Sequence, residues 1–182
     1  MSKSRGDEWY TPRWLVEALG PFDLDPAAPS ENHWTAKRCY TSSNDGLRLP
    51  WDGRVFLNPP YSEPLPWVER LVEHGNAIAL YFVRTDTKWM QRALDAADAA
   101  FLLRGRIPFV DIDERKSGTP AAASVLLAFG ESNVAAIREA QRRGAIDGKL
   151  LLTPQYLERF VVPAQRKPDT GTDLGFNKLA AD

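Results

Sequence analysis

Cysteine occurs once, at Cys39, and histidine only at His33 and His74, so the chain of 182 residues has neither a disulfide framework nor the ligand set of a zinc site. No metal is expected. No apolar run approaches the roughly 18 residues of a membrane span, which argues against a membrane partner. The polar start, Met1–Glu8, lacks a signal-peptide pattern, and a cytosolic protein is expected. An excess of either charge is also missing: 23 Lys and Arg face 24 Asp and Glu, a net charge of −1. Global steering toward a polyanion is therefore absent, and any nucleic-acid contact needs a local patch. Glycine is absent between Gly20 and Gly46, and no internal repeat is visible.

What is present suits one globular domain. The apolar fraction is 43% and the charged fraction 26%, ordinary for a soluble chain long enough to bury a core. The reading places a single domain over residues 1–162 and a flexible, turn-rich tail over 163–182. Thr11-Pro12 opens a helix with Trp14, Leu15, Ala18 and Leu19 on one face, stopped by Gly20-Pro21. Phe22–Leu24, Arg54–Leu57, Ala77–Val83 and Ala99–Leu103 read as strands. Helical spacing runs through Leu65, Val68, Leu71 and Val72, and again from Thr87 to Ala97. Arg106–Val110 and Ala122–Phe129 frame a charged loop, Asp111–Pro120, as in a long antiparallel hairpin. Ser132 is expected to cap a further helix, and Thr153–Phe160 to form a short one. Strands alternating with helices predict an α/β fold: a mainly parallel sheet covered on both faces, ending in an antiparallel hairpin.

The segment richest in chemistry is Asn58-Pro59-Pro60-Tyr61, directly after the apolar run Val55-Phe56-Leu57. An amide oxygen and the Pro59 carbonyl can both accept from an exocyclic NH2 group. Two prolines stiffen the turn because each fixes φ and donates nothing, and Tyr61 offers a flat ring for a heterocycle. In open α/β sheets ligands bind at the carboxyl ends of the strands. Asp25-Pro26, after an earlier strand, opens onto the same edge as Asn58–Tyr61, so two reactants could meet there.

These elements resemble the phage-type DNA adenine methyltransferases, a short branch of the S-adenosylmethionine-dependent amino-methyltransferases. The resemblance rests on Trp9-Tyr10-Thr11-Pro12, Leu24-Asp25-Pro26-Ala27-Ala28, Asn44-Asp45-Gly46-Leu47 with Trp51-Asp52-Gly53, and Asn58-Pro59-Pro60-Tyr61-Ser62. Gly105-Arg106-Ile107 with Phe109, and Thr119-Pro120, extend it over residues 8–130. It implies a Rossmann-like methyltransferase sheet and transfer of a methyl group from S-adenosyl-L-methionine to the N6 amine of a flipped-out adenine in DNA. On that likeness Asn58 and the Pro59 carbonyl hold the amine, Pro60 stiffens the turn and Tyr61 stacks on the base. Asp25 faces the donor's ammonium, Pro26 and Ala27 form the donor turn, Thr11 and Pro12 lie near its carboxylate, and Asp45 near its adenosyl part. The chain departs from the usual pattern in having Ala27 and Ala28 where methyltransferase donor loops carry glycine.

Taken singly, Asp25-Pro26 and Asn44-Asp45-Gly46 are also ordinary turn signals. His33 and His74 are read as having no catalytic part, and Cys39 as a buried small hydrophobe. Arg84, Lys88, Arg104, Arg106, Arg115 and Lys116 fall in or near loops at the carboxyl edge. They read equally as a phosphate-tracking surface or as a solvated mixed-charge one. Three functions stay open: methylation of adenine in DNA, the same chemistry on a protein glutamine or an RNA base, and a silent relative that only binds. A monomer or weak dimer is expected.

Overall fold

The computed structural model describes residues 9–111, 113–118 and 120–161 of the chain. The start Met1–Glu8, Thr119 and the tail expected over 163–182 lie outside the described residues.

The chain runs α1 (Arg13–Leu19), β1 (Leu24–Asp25), β2 (Arg38–Cys39), β3 (Val55–Leu57), α2 (Pro64–His74), β4 (Ala77–Phe82), α3 (Lys88–Ala96) and β5 (Ala99–Leu103). It continues through β6 (Phe109–Val110), β7 (Lys116–Gly118), β8 (Ser124–Phe129), α4 (Glu131–Arg142), β9 (Gly148–Leu152) and α5 (Pro154–Tyr156), then a π-helical turn at Leu157–Val161. Among the described residues, seven strands form one sheet in the order β2-β1-β3-β4-β8-β5-β9. The first four are mutually parallel, whereas β8 is antiparallel to β4 and β5, and β9 is antiparallel to β5. The α/β class, the parallel half and the antiparallel end agree with the sequence reading.

Side chains of β4 alternate between two apolar layers. Ile78 and Leu80 join Leu15, Val16 and Leu19 of α1 and Val134 and Ile137 of α4 on one face. Ala77, Ala79 and Tyr81 join Val68 and Leu71 of α2 and Met90 and Ala93 of α3 on the other. Burial on both sides is why β4 and β8 are continuous apolar runs with no polar alternation.

Several expectations shift. In α1 the buried residues are Leu15, Val16 and Leu19, while Trp14 is 44% exposed, because the helix begins at Arg13 and Pro12 stands before it as the N-cap. The first strand is Leu24–Asp25, not Phe22–Leu24. Gly130, at φ 90°, replaces Ser132 as the cap of α4; the tight turn straight out of β8 needs a left-handed residue. Arg106–Val110 does not pair with Ala122–Phe129. Instead β6 pairs with β7 in a separate two-stranded hairpin, and β8 inserts between β4 and β5. Insertion lets the β8 side chains bury on both faces, which a two-stranded hairpin could not do. Three strands went unread: β2 has only two residues, β7 falls within the stretch expected as the charged loop Asp111–Pro120, and β9 lies at the sheet edge.

Because β4 and β5 both pair antiparallel with β8, the carboxyl ends of β1, β3, β4 and β5 share one edge. That edge carries Asp25, Asn58, Arg84 and Arg104, and the excursion containing β6 and β7 stands over it.

Candidate active site

At the carboxyl edge lies a cavity of about 420 Å³, within the range of small-molecule sites. Its wall includes Thr11, Asp25, Pro26, Ala27, Asp45, Asn58, Pro59 and Pro60. The two turns singled out in the sequence, 33 positions apart by their first residues, therefore face one space. Pro12 and Tyr61 do not line it.

Asn58 is held at three points. Its Nδ2 donates to the Trp9 carbonyl at 2.6 Å and to Thr11 Oγ1 at 3.2 Å, and its Oδ1 accepts from the Tyr61 hydroxyl at 3.0 Å. A carbonyl can only accept, so the nitrogen must face Trp9 and the oxygen must face Tyr61. An amide oxygen has two lone pairs, and the Tyr61 hydroxyl uses one. The Leu80 carbonyl lies 3.4 Å from the same hydroxyl as a more distant acceptor for its single proton, and the Tyr61 ring lies flat on Phe82, with centroids 4.1 Å apart. Burial raises the phenol's pKa, so its hydroxyl remains a donor. Trp9 packs edge-on against Phe82 and Phe109. The backbone of Tyr10 bridges Val110 in β6. The amide clamp is thus tied to both the segment before α1 and the hairpin above the edge.

Across the cavity, Asp25 is buried, and burial pushes its carboxyl up to about 6. Its Oδ2 accepts from Thr35 Oγ1 at 2.5 Å and its Oδ1 from the Ala27 amide at 3.0 Å. Both donors are neutral, and among the described residues no cation pairs with this carboxylate. Thr35 Oγ1 also lies 3.1 Å from His33 Nδ1. His33 forms part of the cavity wall, although its sequence context gave it no part. Burial drives its pKa down to about 4. Cys39 is buried beneath, as expected, with Sγ 4.0 Å from Thr35 Oγ1.

The turn lacking glycine receives one from elsewhere. A Cβ on Gly46 would lie 1.9 Å from the Pro26 carbonyl oxygen, so the Asn44–Gly46 turn is seated directly on the Asp25–Ala27 turn. Trp51 Nε1 donates to the Gly46 carbonyl at 2.8 Å and fixes that seat. Asp45, at φ 55°, lines the cavity while its carboxylate pairs with Arg48 at 3.1 Å.

Arg84, Lys88, Arg104, Arg106 and Arg115 do not line the cavity. Arg84 and Lys88 flank the end of β4 and Arg104 and Arg106 follow β5, all exposed at the same edge. Arg104 pairs with Asp147 at 2.7 Å, Arg115 with Asp113 at 3.6 Å and Arg84 with Asp86 at 3.7 Å, while Arg106 donates to the Pro120 carbonyl. The side chain of Lys116 lies outside the described part. The tip of the hairpin is fastened to α1 by a two-point contact of Arg13 with Glu114, at 2.7 and 3.2 Å.

Residues 1–143 match the family model for DNA N-6-adenine-methyltransferase (Dam). A curated protein of Haemophilus phage HP1 (strain HP1c1), named DNA N-6-adenine-methyltransferase, is 32% identical over 121 residues, covering 60% of this chain and 69% of its own length. A protein of the same name from Escherichia phage T1 is 29% identical over 150 residues, covering 77% of this chain and 60% of the phage protein. The chain therefore spans less than two thirds of the second relative.

Proposed function

The chain belongs to the DNA N-6-adenine-methyltransferase (Dam) family, and from that premise we propose that it transfers a methyl group from S-adenosylmethionine to the N6 amine of adenine in DNA. The observation that carries the reading is the pairing of sites across one cavity: an oriented amide oxygen on Asn58 and a buried, cation-free carboxylate on Asp25.

The residues fit such a donor. A buried carboxylate satisfied only by neutral groups is costly to keep charged, and a ligand ammonium supplies the missing countercharge. Asp25 takes that part, with Pro26 and Ala27 shaping the turn, Thr11 and Pro12 at the carboxylate end and Asp45 near the adenosyl part. When bound, the donor supplies a methyl group activated on a sulfonium and delivered by in-line displacement.

The chain's own residues bind and orient the acceptor. Asn58 Oδ1, with one lone pair committed to Tyr61, offers the other to the adenine amine, and the Pro59 carbonyl offers a second acceptor. These bonds strengthen as the attacking nitrogen gains positive charge, which favours the transition state over the ground state. Alignment of two bound reactants contributes up to about 7–11 kcal/mol in the best cases. Tyr61, backed by Phe82, serves as the stacking platform for a base turned out of the helix. Arg84, Lys88, Arg104, Arg106, Arg115 and Lys116 track the phosphates, and the protein works as a monomer or weak dimer.

Incubation with labelled donor and either DNA, RNA or protein tests the substrate class; label entering adenine of DNA alone is the expected result. Asn58→Ala should abolish transfer while retaining fold and binding of S-adenosylhomocysteine. Transfer to RNA or protein in preference to DNA would overturn the reading.

A further inference from the structure

Resting on the donor reading above, the geometry points to His33 as a positioning residue that orients Asp25 toward the methyl donor, acting through Thr35. Nothing in the sequence around His33 suggests this part, and the transfer chemistry does not otherwise use it.

The assignment follows from counting protons. A carboxylate only accepts, so the single hydroxyl proton of Thr35 is committed to Asp25 Oδ2. Thr35 Oγ1 can then only accept at its other contacts, with His33 and Cys39, and the proton between it and His33 must sit on Nδ1. Nδ1 protonation in a neutral imidazole leaves Nε2 bare. That atom is buried and has no hydrogen-bond partner among the described residues. The ring is clamped in place, its centroid 3.8 Å from that of Trp34, with Tyr10 edge-on at 6.1 Å.

The charged groups acting on the ring are Arg13, which opposes a second proton, and Glu114, which favours one; burial outweighs both. At Asp25, Thr35 and the Ala27 amide favour the charged form against burial, and Cys39 is the other titratable group nearby. With His33 neutral, the Thr35 hydroxyl has one available direction, and Asp25 keeps a fixed donor on Oδ2. Without the Nδ1 donor, that hydroxyl is free to turn away. Asp25 then holds its proton to higher pH, and a cationic ligand meets a less charged and less oriented group.

Two measurements test this. Nitrogen-resolved NMR of the ligand-free protein should find His33 near neutral pH as the neutral, Nδ1-protonated tautomer. An Nε2-protonated or doubly protonated ring would overturn the relay. Calorimetric titration with S-adenosylhomocysteine across mildly acidic to mildly basic pH should find His33→Phe weakened about tenfold at the acidic end and about twofold near neutrality, its binding midpoint moved up by about one pH unit. His33→Asn, whose amide N–H can replace Nδ1–H, should stay within about threefold of the parent by the same measure. A His33→Phe variant that is folded and keeps the parental pH profile would overturn the proposal. Failure of the parent protein to bind the probe would instead overturn the donor reading, with the tautomer still deciding the relay.

Discussion

The Tyr61 hydroxyl donates to Asn58 Oδ1 across 3.0 Å, so the aromatic and the amide of one tetrapeptide are locked together before any substrate arrives. With the Trp9 carbonyl and Thr11 Oγ1 on the opposite side of the amide, Asn58 has one orientation available. Holding a reactive group in place beforehand is where such a site derives much of its rate.

Tyr61→Phe should therefore separate positioning from stacking. The ring stays on Phe82, the hydroxyl is lost, and Asn58 is free to rock about its two remaining contacts. The expected result is a fall in kcat of about tenfold, the equivalent of about 1.4 kcal/mol, with binding of S-adenosylhomocysteine unchanged. Single-turnover transfer and calorimetry on the same sample check it. A variant as fast as the parent would mean that the hydroxyl does not hold the amide.

Asp25 and His33 make opposite contributions to stability against pH. Burial lifts Asp25 from 3.8 to about 6, so its contribution is fully present below 3.8 and is lost as pH rises through about 6. His33 is lowered from 6.5 to about 4, so its contribution is present above 6.5 and is lost as pH falls through about 4. Each amounts to about 3 kcal/mol by linkage, and between the two values they oppose one another. Asp25→Asn should be more stable than the parent at neutral pH by up to about 3 kcal/mol. The advantage should shrink on acidification toward the ordinary carboxylate range, and donor binding should be lost. Urea unfolding of both proteins over a pH series measures the difference directly. A pH-independent difference would contradict a charged, desolvated Asp25.

Much of this site was legible because its chemistry is compact in sequence. Asn58–Tyr61 carries an acceptor, two stiff backbone positions and a ring in four adjacent residues, and the apolar run before it marks a strand end. Asp25-Pro26 was legible for the same reason, and strands buried on both faces gave the parallel half of the sheet. His33 and Thr35 were not, because their meaning comes from an Asp25 eight to ten positions away that only the fold brings within reach. The pairing of β8 was equally hidden: a run of six buried residues does not say which strands it lies between. Trp14 was misplaced because helical spacing alone cannot fix the rotation of a seven-residue helix whose first turn follows a proline.

Gly46 has a steric reason to be glycine, since a methyl group there would lie 1.9 Å from the Pro26 carbonyl oxygen. Backbone cannot yield as a flexible side chain does. Gly46→Ala should cost about 3 kcal/mol or more, beyond the usual range for overpacking, and should distort the Asp25–Ala27 turn it is seated on. Gly75→Ala is the matched comparison: φ is 69° there, but nothing lies within 4 Å of the added carbon. Its cost should be about 1 kcal/mol, from backbone conformation alone. Denaturant unfolding of the two variants should rank them in that order; equal losses would mean that the Gly46 turn is not seated on Pro26.

Lys88 opens α3 at the carboxyl edge, with no acidic residue in the first turn and no ion pair among the described residues. A cation at a helix N-terminus opposes the helix dipole by about 0.3–1 kcal/mol, so the position is unfavourable for folding taken alone. A phosphate partner would account for it, since DNA would meet both the ammonium and the favourable end of the dipole. Lys88→Ala should thus act in opposite directions on two measurements. Thermal stability should rise by a few tenths of a kcal/mol, while DNA affinity falls uniformly across sequences and the slope of log affinity against log salt drops by about one. Calorimetric melting and salt-dependent anisotropy with a fluorescent duplex provide the readouts. A gain in stability with an unaltered salt slope would assign Lys88 to a solvated surface and remove it from the proposed DNA track.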